Sequence, residues 1–569
     1  MLTTPVAPPT PTFRELFTPK LVTVLREGYG LPQLRADVMA GLTVAIVALP
    51  LSMAIAIASG ASPERGLYPA IVGGFLISLL GGSRLQIGGP AGAFIVLVAA
   101  SFERHGFDGF LLATMLAGLI LIAMGLLRLG TYIRYIPGAV TTGFTAGIAV
   151  IIFASQLRDI LGLKLPAKEP AAFLPKLQAL AAAAGTFSPS ALAVALATVA
   201  TIVAVRRLRP AWPAFLIAVA GASVAAAALG LPVETIGTRY GGIPNALPIP
   251  RLPADMSLDR IMTVLPDAIA FAILGGIESL LSAVVADAMS GRRHRSNCEL
   301  VAQGVANVGC ALFGGICATG TIARTATNVR AGAIGPVSGM LHALFLLGFM
   351  LFAAPLASFI PLAALAGILA VVAWSMTERH EFVSTLRRSR GEALVLLATF
   401  LLTIFRDLTE GIVVGVVLGS LLFMHRMAQL VAVETGMPLP LEDDRADEVG
   451  RPPFEGEAGD TLVYRITGPL FFGASTALAA TLESIGRFPR TVILDLAAVP
   501  FADATATSSL RAFVAGARRD GAAVYVAGAG PQVRKVLARE GLDVPPTHYA
   551  PSVADARMAA GDALRGRAP

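Results

Sequence analysis

From Val38 to Val433 the chain is a succession of apolar segments with little charge inside them, and this limits its possible folds more than any other feature. Of 81 charged side chains in 569 residues, 30 fall in the 129 residues from Leu441 onward, which leaves 51 in the first 440. The tail is about 23% charged, an ordinary value for a soluble domain, and the first part about 12%, a membrane-protein value. A soluble enzyme, a disordered scaffold and a nucleic-acid binder are excluded on this ground. The net charge of +7 divides into −2 on the tail and +9 on the apolar part. A basic excess there fits arginines that anchor cytoplasmic loops, so no nucleic-acid partner is expected.

Fourteen apolar segments can be delimited: 38–59, 66–82, 91–101, 109–128, 135–157, 188–205, 212–231, 264–288, 299–315, 321–331, 337–355, 361–376, 392–406 and 409–429. Segments 91–101 and 321–331 are well short of the roughly 20 residues that span a bilayer. Short segments interrupted by Gly and Pro at matching places in two halves mark an inverted-repeat transporter. Here Leu79-Leu80-Gly81-Gly82 precedes Gly88-Gly89-Pro90-Ala91-Gly92-Ala93 in the first half. Leu312-Phe313-Gly314-Gly315 precedes Thr319-Gly320-Thr321-Ile322-Ala323-Arg324 in the second. With the N-terminus inside, Arg128 and Arg134, Arg206-Arg207-Leu208-Arg209, Arg292-Arg293-His294-Arg295, and Arg387, Arg388 and Arg390 all fall on the cytoplasmic side. Fourteen segments then return the tail to the cytoplasm. Residues 1–37 form an N-terminal cytoplasmic segment that lacks the apolar core of a secretory leader. Cys298, Cys310 and Cys317 have neither disulfide nor metal-ligand spacing and read as small apolar fillers.

The transporter region is expected over 38–433, an acidic, Pro-containing linker over 434–460 and a soluble domain over 461–560. In that domain Leu462–Ile466, Thr491–Leu496 and Ala522–Val526 read as strands, and Ser475–Ile485 and Ser508–Arg518 as helices. The alternation implies a small α/β fold.

Two charges are set where charge is costly. Arg324 follows Thr319-Gly320-Thr321 at the start of a broken helix, whose free N–H groups and positive dipole end attract anions. Gly89-Pro90-Ala91-Gly92-Ala93 would supply a facing helix start with little side-chain bulk. Two such starts and one guanidinium suit a compact anion; the alternative is a structural arginine paired with a carboxylate. Glu278, midway along an apolar helix, is desolvated and can be neutral or charged as its surroundings change, so it could carry a proton with an anion. A salt bridge to Arg324 without proton traffic is the alternative. Asp287 reads as paired with the following arginine run, His294 as solvated, and Arg406-Asp407 with Glu410 as a loop turn. Walker, nucleophile-elbow, His-Glu-x-x-His and Rossmann motifs do not occur in a supporting context, and neither enzyme activity nor a cofactor or metal is expected.

At this point the chain resembles the sulfate permease (SulP, or solute carrier 26) family of anion transporters. The likeness lies in Gly41-Leu42-Thr43-Val44 through Ala48-Leu49-Pro50, in Gly66-Leu67-Tyr68, in Gly88-Gly89-Pro90 and in Thr319 through Arg330. The tail is similar to that family's STAS domain, with Tyr464 through Phe472, Leu494-Asp495-Leu496 and Val499 through Asp503. The resemblance implies an α-helical membrane protein with 14 transmembrane segments in a 7+7 inverted repeat, divided into core and gate domains. It implies a cytoplasmic α/β STAS domain, a homodimer in the inner or plasma membrane, and alternating access. It places substrate at Gly92, Ala93 and Phe94 and at Ala323, Arg324 and Thr325, and a proton-coupling glutamate at Glu278. Many sulfate and bicarbonate members have Gln after the segment-1 proline, where this chain has Leu51. Here it resembles members that move C4-dicarboxylates such as succinate and fumarate. Ala504 follows Asp503 where a phosphorylated Ser stands in sporulation regulators, so a structural or dimer-regulating role is expected, with a cytoplasmic protein as a possible partner of the domain. The leading expectation is a proton-coupled symporter of a small anion, C4-dicarboxylate or sulfate. A bicarbonate or chloride exchanger or a channel, and a transporter-like sensor, are the alternatives.

Overall fold

The computed structural model describes residues 12–565 apart from 132–136, 167–168, 171, 210–211, 407, 435–460, 474–489 and 543–546. The chain divides into two compact units, 1–417 and 418–569.

The first unit is helical, and the breaks in its helices follow from sequence. Helices α1 (Phe13–Phe17) and α2 (Lys20–Arg26) precede the long α3 (Leu31–Ala58). Helix α4 (Glu64–Tyr68) passes through a π-turn that begins at Pro69 into α5 (Gly74–Leu80). Strand β1 (Gly88–Gly89) and a 3₁₀ turn at Gly92–Phe94 lead into α6 (Ile95–Leu126), broken at Gly106, whose φ of 69° interrupts the helix. Next come α7 (Gly138–Leu161), α8 (Phe173–Ala182), α9 (Pro189–Leu208), α10 (Ala214–Ala228) and α11 (Ile236–Tyr240). The second half runs through α12 (Leu258–Ser290), α13 (Ser296–Leu312), β2 (Thr319–Gly320) and the nine-residue α14 (Ile322–Arg330). It continues with α15 (Val337–Ala357), α16 (Leu362–Met376), α17 (Arg379–Arg388), α18 (Arg390–Phe405) and α19 (Leu408–Ala428). Among the described residues eight helices are long and apolar enough to cross a membrane. Large apolar side chains such as Leu344, Leu351 and Phe352 on α15 stay exposed, as expected of a surface solvated by lipid tails.

The packing interchanges between the halves. Helix α6 packs against α12 and α13, and α15 correspondingly against α3 and α5. Helix α18 packs on α7, as α9 does on α16, and α7 and α16 pack on each other. Exchanging the halves maps these contacts onto one another, the signature of an inverted repeat, and sorts the helices into a core group and a gate group. Small residues set the approach of the core helices. A Cβ on Gly118 of α6 would stand 2.6 Å from the Gly304 carbonyl of α13, so neither glycine can be enlarged without moving a backbone.

In the second unit a five-stranded sheet runs in the order β3 (Ala432–Glu434), β4 (Thr461–Thr467), β5 (Thr491–Ala498), β6 (Ala523–Ala527), β7 (Thr547–Ala550), with β3 antiparallel and the rest parallel. Val492 and Leu494 of β5 pack with Leu510 and Phe513 of α20 (Ala504–Arg519) and Val533 of α21 (Pro531–Arg539). Ile493 between them packs with Ala556 and Ala560 of α22 (Val553–Arg565) on the other face. Helices on both faces explain why β5 reads as an unbroken apolar run rather than an alternating one. Asp503 caps α20: one carboxylate oxygen accepts from Ala506 N at 2.8 Å, the other from Phe472 N at 2.8 Å.

Several local expectations change. Strand β3 lies where the membrane region was expected to end, and β7, α21 and α22 were not foreseen. Arg134, Asp407, the 442–453 linker and the helix expected at Ser475–Ile485 lie outside the described residues. Arg406 and Glu410 do pair, at 3.3 Å, between α18 and α19.

Candidate functional site

The two short segments meet at the centre of the core group. Strands β1 and β2 pair antiparallel, Gly88 opposite Gly320 and Gly89 opposite Thr319. Their following turns open two helix starts, the 3₁₀ turn at Gly92 and α14 at Ile322. Neither start is capped by a side chain. Ala91 has no hydroxyl to offer, and that of Thr321 donates instead to the Ile87 carbonyl at 3.1 Å. The first N–H groups of each helix are thus left for another acceptor.

Arg324 is the third residue of α14 and is 1% exposed. Its Nη2 donates to Ser52 Oγ at 3.1 Å and to the Pro90 carbonyl at 3.2 Å, while Nε and Nη1 have no partner among the described residues. Among the described residues no carboxylate lies within 4.0 Å of it, so the alternative of a structural ion pair with Glu278 is not realised. Gly89 makes this placement possible. Its φ of 152° and its lack of a side chain admit the guanidinium; a Cβ there would overlap Nη1.

The other expected substrate residues divide by surroundings. Gly92 is half-buried and looks toward the gate group, where an added Cβ would meet Ile152 of α7 at 3.2 Å and Met376 after 3.6 Å. Ala93 and Phe94 are buried, and the Phe94 ring packs against Phe271 of α12 at 6.1 Å. Ala323 is exposed. Thr325 is used by the scaffold: its hydroxyl accepts from Ile87 N at 3.0 Å and bonds Ser282 Oγ at 3.0 Å.

Glu278 is 7% exposed on α12, on the helical stripe that carries Gly275, Ser279 and Ser282. That stripe grips the crossing. Thr319 Oγ1 donates to the Gly275 carbonyl at 3.0 Å, and Gln86 Nε2 donates to Ser279 Oγ at 2.9 Å. Glu278 is therefore brought to the helix face that supports both broken segments, without an ion pair to Arg324.

A model of the sulfate permease family matches residues 34–399, and a STAS domain model matches 455–556. The chain belongs to the sulfate permease family. It is 39% identical over 519 residues to a putative sulfate transporter, YvdB, of Bacillus subtilis, covering 91% of this chain and 95% of the relative. It is 33% identical over 520 residues to the bicarbonate transporter BicA of Synechocystis, covering 89% and 90%. The solved transmembrane domain of a cyanobacterial BicA superposes with a TM-score of 0.61 at 33% identity, over 68% of this chain and 98% of that one. The murine solute carrier 26 family member A9 anion transporter, in an inward-facing state, shares the fold over 98% of this chain and 96% of its own, with a TM-score of 0.82 at 18% identity. This permease is thus a multi-pass integral membrane anion transporter rather than an enzyme.

The permease also holds polar groups that the apolar pattern concealed. Asp37, fully buried on α3, accepts from Ile334 N at 2.7 Å, Gly335 N at 3.1 Å and the Tyr29 hydroxyl at 2.8 Å. Burial and the Asp37 charge together raise the Tyr29 hydroxyl above its ordinary pKa. Glu299, fully buried on α13, accepts from Ser83 N at 3.0 Å and Gln303 Nε2 at 3.1 Å. These carboxylates are saturated with donors and act as struts between the halves. Their signal in the sequence is an acid at the edge of an apolar run. Asp287 and His294 need correction. His294 is not solvated: its Nδ1 lies 2.7 Å from Asp287 Oδ2 and its Nε2 lies 3.0 Å from Ser296 Oγ, so Asp287 pairs with the histidine and not with the arginine run. The turn that begins at Gly291 folds the loop back over the end of α12 and brings the two together.

Proposed function

We propose that the protein is a proton-coupled symporter of a small anion, bound between the starts at Gly92 and Ile322 and working by movement of the core group against the gate group. The observation that carries this reading is Arg324: a buried guanidinium with two nitrogens unpartnered, beside two uncapped helix starts. A buried cation of this kind is costly unless an anion completes it. Substrate contacts fall to the backbone and small side chains of Gly92, Ala93 and Ala323 and to the Arg324 guanidinium. Phe94 and Thr325 hold the walls. Glu278 is the proton carrier, since it is a buried carboxyl group without an ion-pair partner on the helix that supports the site. Protonation of Glu278 would offset one unit of the charge that the anion brings into the core group, lowering the cost of moving it through the low-dielectric region.

Leu51 after the segment-1 proline supports a C4-dicarboxylate such as succinate or fumarate. Similarity to the putative sulfate transporter YvdB and to the bicarbonate transporter BicA favours sulfate and bicarbonate. Cytoplasmic termini are supported by the arginine-rich loops, and a homodimer in the inner membrane, with a STAS domain that meets a cytoplasmic protein, by the family resemblance. The domains we assign are 1–37, 38–433, 434–460 and 461–560. Counterflow in reconstituted vesicles, loaded in turn with sulfate, bicarbonate, succinate and fumarate, tests the substrate directly. The expected result is exchange of one compact anion class, with Arg324→Ala lowering its apparent affinity by about 10- to 100-fold, the value of losing a charge-assisted contact. Unchanged affinity in Arg324→Ala would remove the arginine from the site.

A further inference from the structure

Around Arg324 lie further buried polar atoms on α5, α14 and α15. His342 of α15 is fully buried, and neither ring nitrogen has a hydrogen-bond partner among the described residues. Its Nδ1 lies 3.8 Å from where a Cβ on Gly74 would stand, a position that also faces the Gly88 carbonyl at 3.0 Å. The next residue, Gly89, is the one against which Arg324 Nη1 rests. The imidazole thus lies beside Gly74, which faces β1 at the Gly88 carbonyl, and the guanidinium rests on Gly89 of that strand. One helical turn beyond each, Asn328 Nδ2 donates to Ser338 Oγ at 2.9 Å and to the Leu85 carbonyl at 2.9 Å, which ties α14 to α15. Asn328 Oδ1 and Ser78 Oγ, both buried, are also unpartnered.

Among the described residues, six polar atoms on four buried residues of α5, α14 and α15 are unpartnered: Arg324 Nε and Nη1, both nitrogens of His342, Asn328 Oδ1 and Ser78 Oγ. Groups of this kind are costly in a dry interior and in folded proteins are satisfied by enclosed water. We propose that His342 positions Arg324 through enclosed water, so that a ring nitrogen accepts by way of that water from the guanidinium and holds its free face toward the anion. His342 is then a positioning residue: it does not touch the substrate. Gly74, beside the imidazole, and Gly89, beside the guanidinium, place no side chain against either group. The inference rests on Arg324 being the anion ligand.

The test is the apparent KM and the maximal rate of anion uptake into vesicles for His342→Gln and His342→Phe, each alone and in an Arg324→Lys background, with the anion that the counterflow screen identifies. Gln keeps polar atoms able to bond water, whereas Phe fills the space with an apolar ring. We expect KM to rise about tenfold in His342→Phe with the maximal rate within about twofold of wild type, the scale of one lost charge-assisted hydrogen bond. His342→Gln should stay within about threefold of wild type in KM, and His342→Phe should add little in the Arg324→Lys background, because the two act through one contact. A wild-type KM in His342→Phe, an equal loss in Gln and Phe, or full additivity with Arg324→Lys would each overturn the proposal. Should His342→Phe fail to purify as a folded protein, His342→Leu carries the same expectation and is judged by the same results. If Arg324→Lys and Arg324→Ala themselves leave KM unchanged, the anion site is wrong. If they raise it while the His342 variants do not, only the role of His342 falls.

Discussion

The crossing at Gly88–Phe94 and the crossing at Thr319–Thr325 are built on one plan and do different chemistry. Each is a two-residue strand that opens an uncapped helix start, and the strands pair with each other. The first is almost bare of side chains, Gly88, Gly89, Pro90, Ala91, Gly92 and Ala93. The second carries Arg324, whose guanidinium reaches back across the pair to the Pro90 carbonyl and to Ser52 on α3. The repeat supplies two positive helix ends without spending a charged residue; the departure from the repeat supplies the one full charge. Glycine on one side and arginine on the other are therefore a matched pair, because the guanidinium occupies the room that Gly89 leaves.

Substitutions that blur this difference should hurt in a definite order. Gly89→Ala is expected to have the largest effect: a Cβ overlaps Nη1 and the backbone is in a region that disfavours side chains, so anion affinity should fall by about tenfold or more, read as KM in vesicle uptake. Ser52→Ala removes one bond to Nη2 and leaves Pro90, so a rise in KM of several-fold, about three- to tenfold, is expected in the same assay. Gly92→Ala enlarges the bare crossing where the neighbours at 3.2 and 3.6 Å are the flexible ends of Ile152 and Met376; a change of about twofold or less is expected. A reversal, with Gly92→Ala worse than Gly89→Ala, would show that the two crossings are not divided in this way.

Much of the fold could be read from the pattern because the lipid environment leaves few choices. Interrupted apolar segments that recur in order around Gly-Gly-Pro and Thr-Gly-Thr already pointed to paired half-helices, and Arg324 stood out because arginine is rare in such a setting. His342 did not stand out. A single histidine on an apolar helix looks like any other core residue, and only its burial against Gly74 of a distant segment, with both ring nitrogens unpartnered among the described residues, sets it apart. Glu299 and Asp37 were hidden for a related reason. Their donors, Ser83, Ile334 and Gly335, come from parts of the chain far removed in sequence, and no local pattern records them. Strand β3 was lost to hydropathy, since Ala432-Val433 continues the apolar run of α19, and its pairing with β4 spans a long separation.

Glu299 and Glu278 also separate the structural from the functional carboxylate. Both are buried on neighbouring helices of the core group, but Glu299 is held by donors from Ser83 and Gln303, whereas among the described residues Glu278 has no ion pair to fix its charge. The central claim, that Glu278 moves a proton with the anion that Arg324 binds, is tested most directly by uptake of labelled anion into vesicles with an imposed inward proton gradient. Wild-type protein should accumulate the anion above equilibrium, and Glu278→Gln should lose that accumulation, or the dependence on pH, while still exchanging anion across the membrane. Full gradient-driven accumulation by Glu278→Gln would contradict the account.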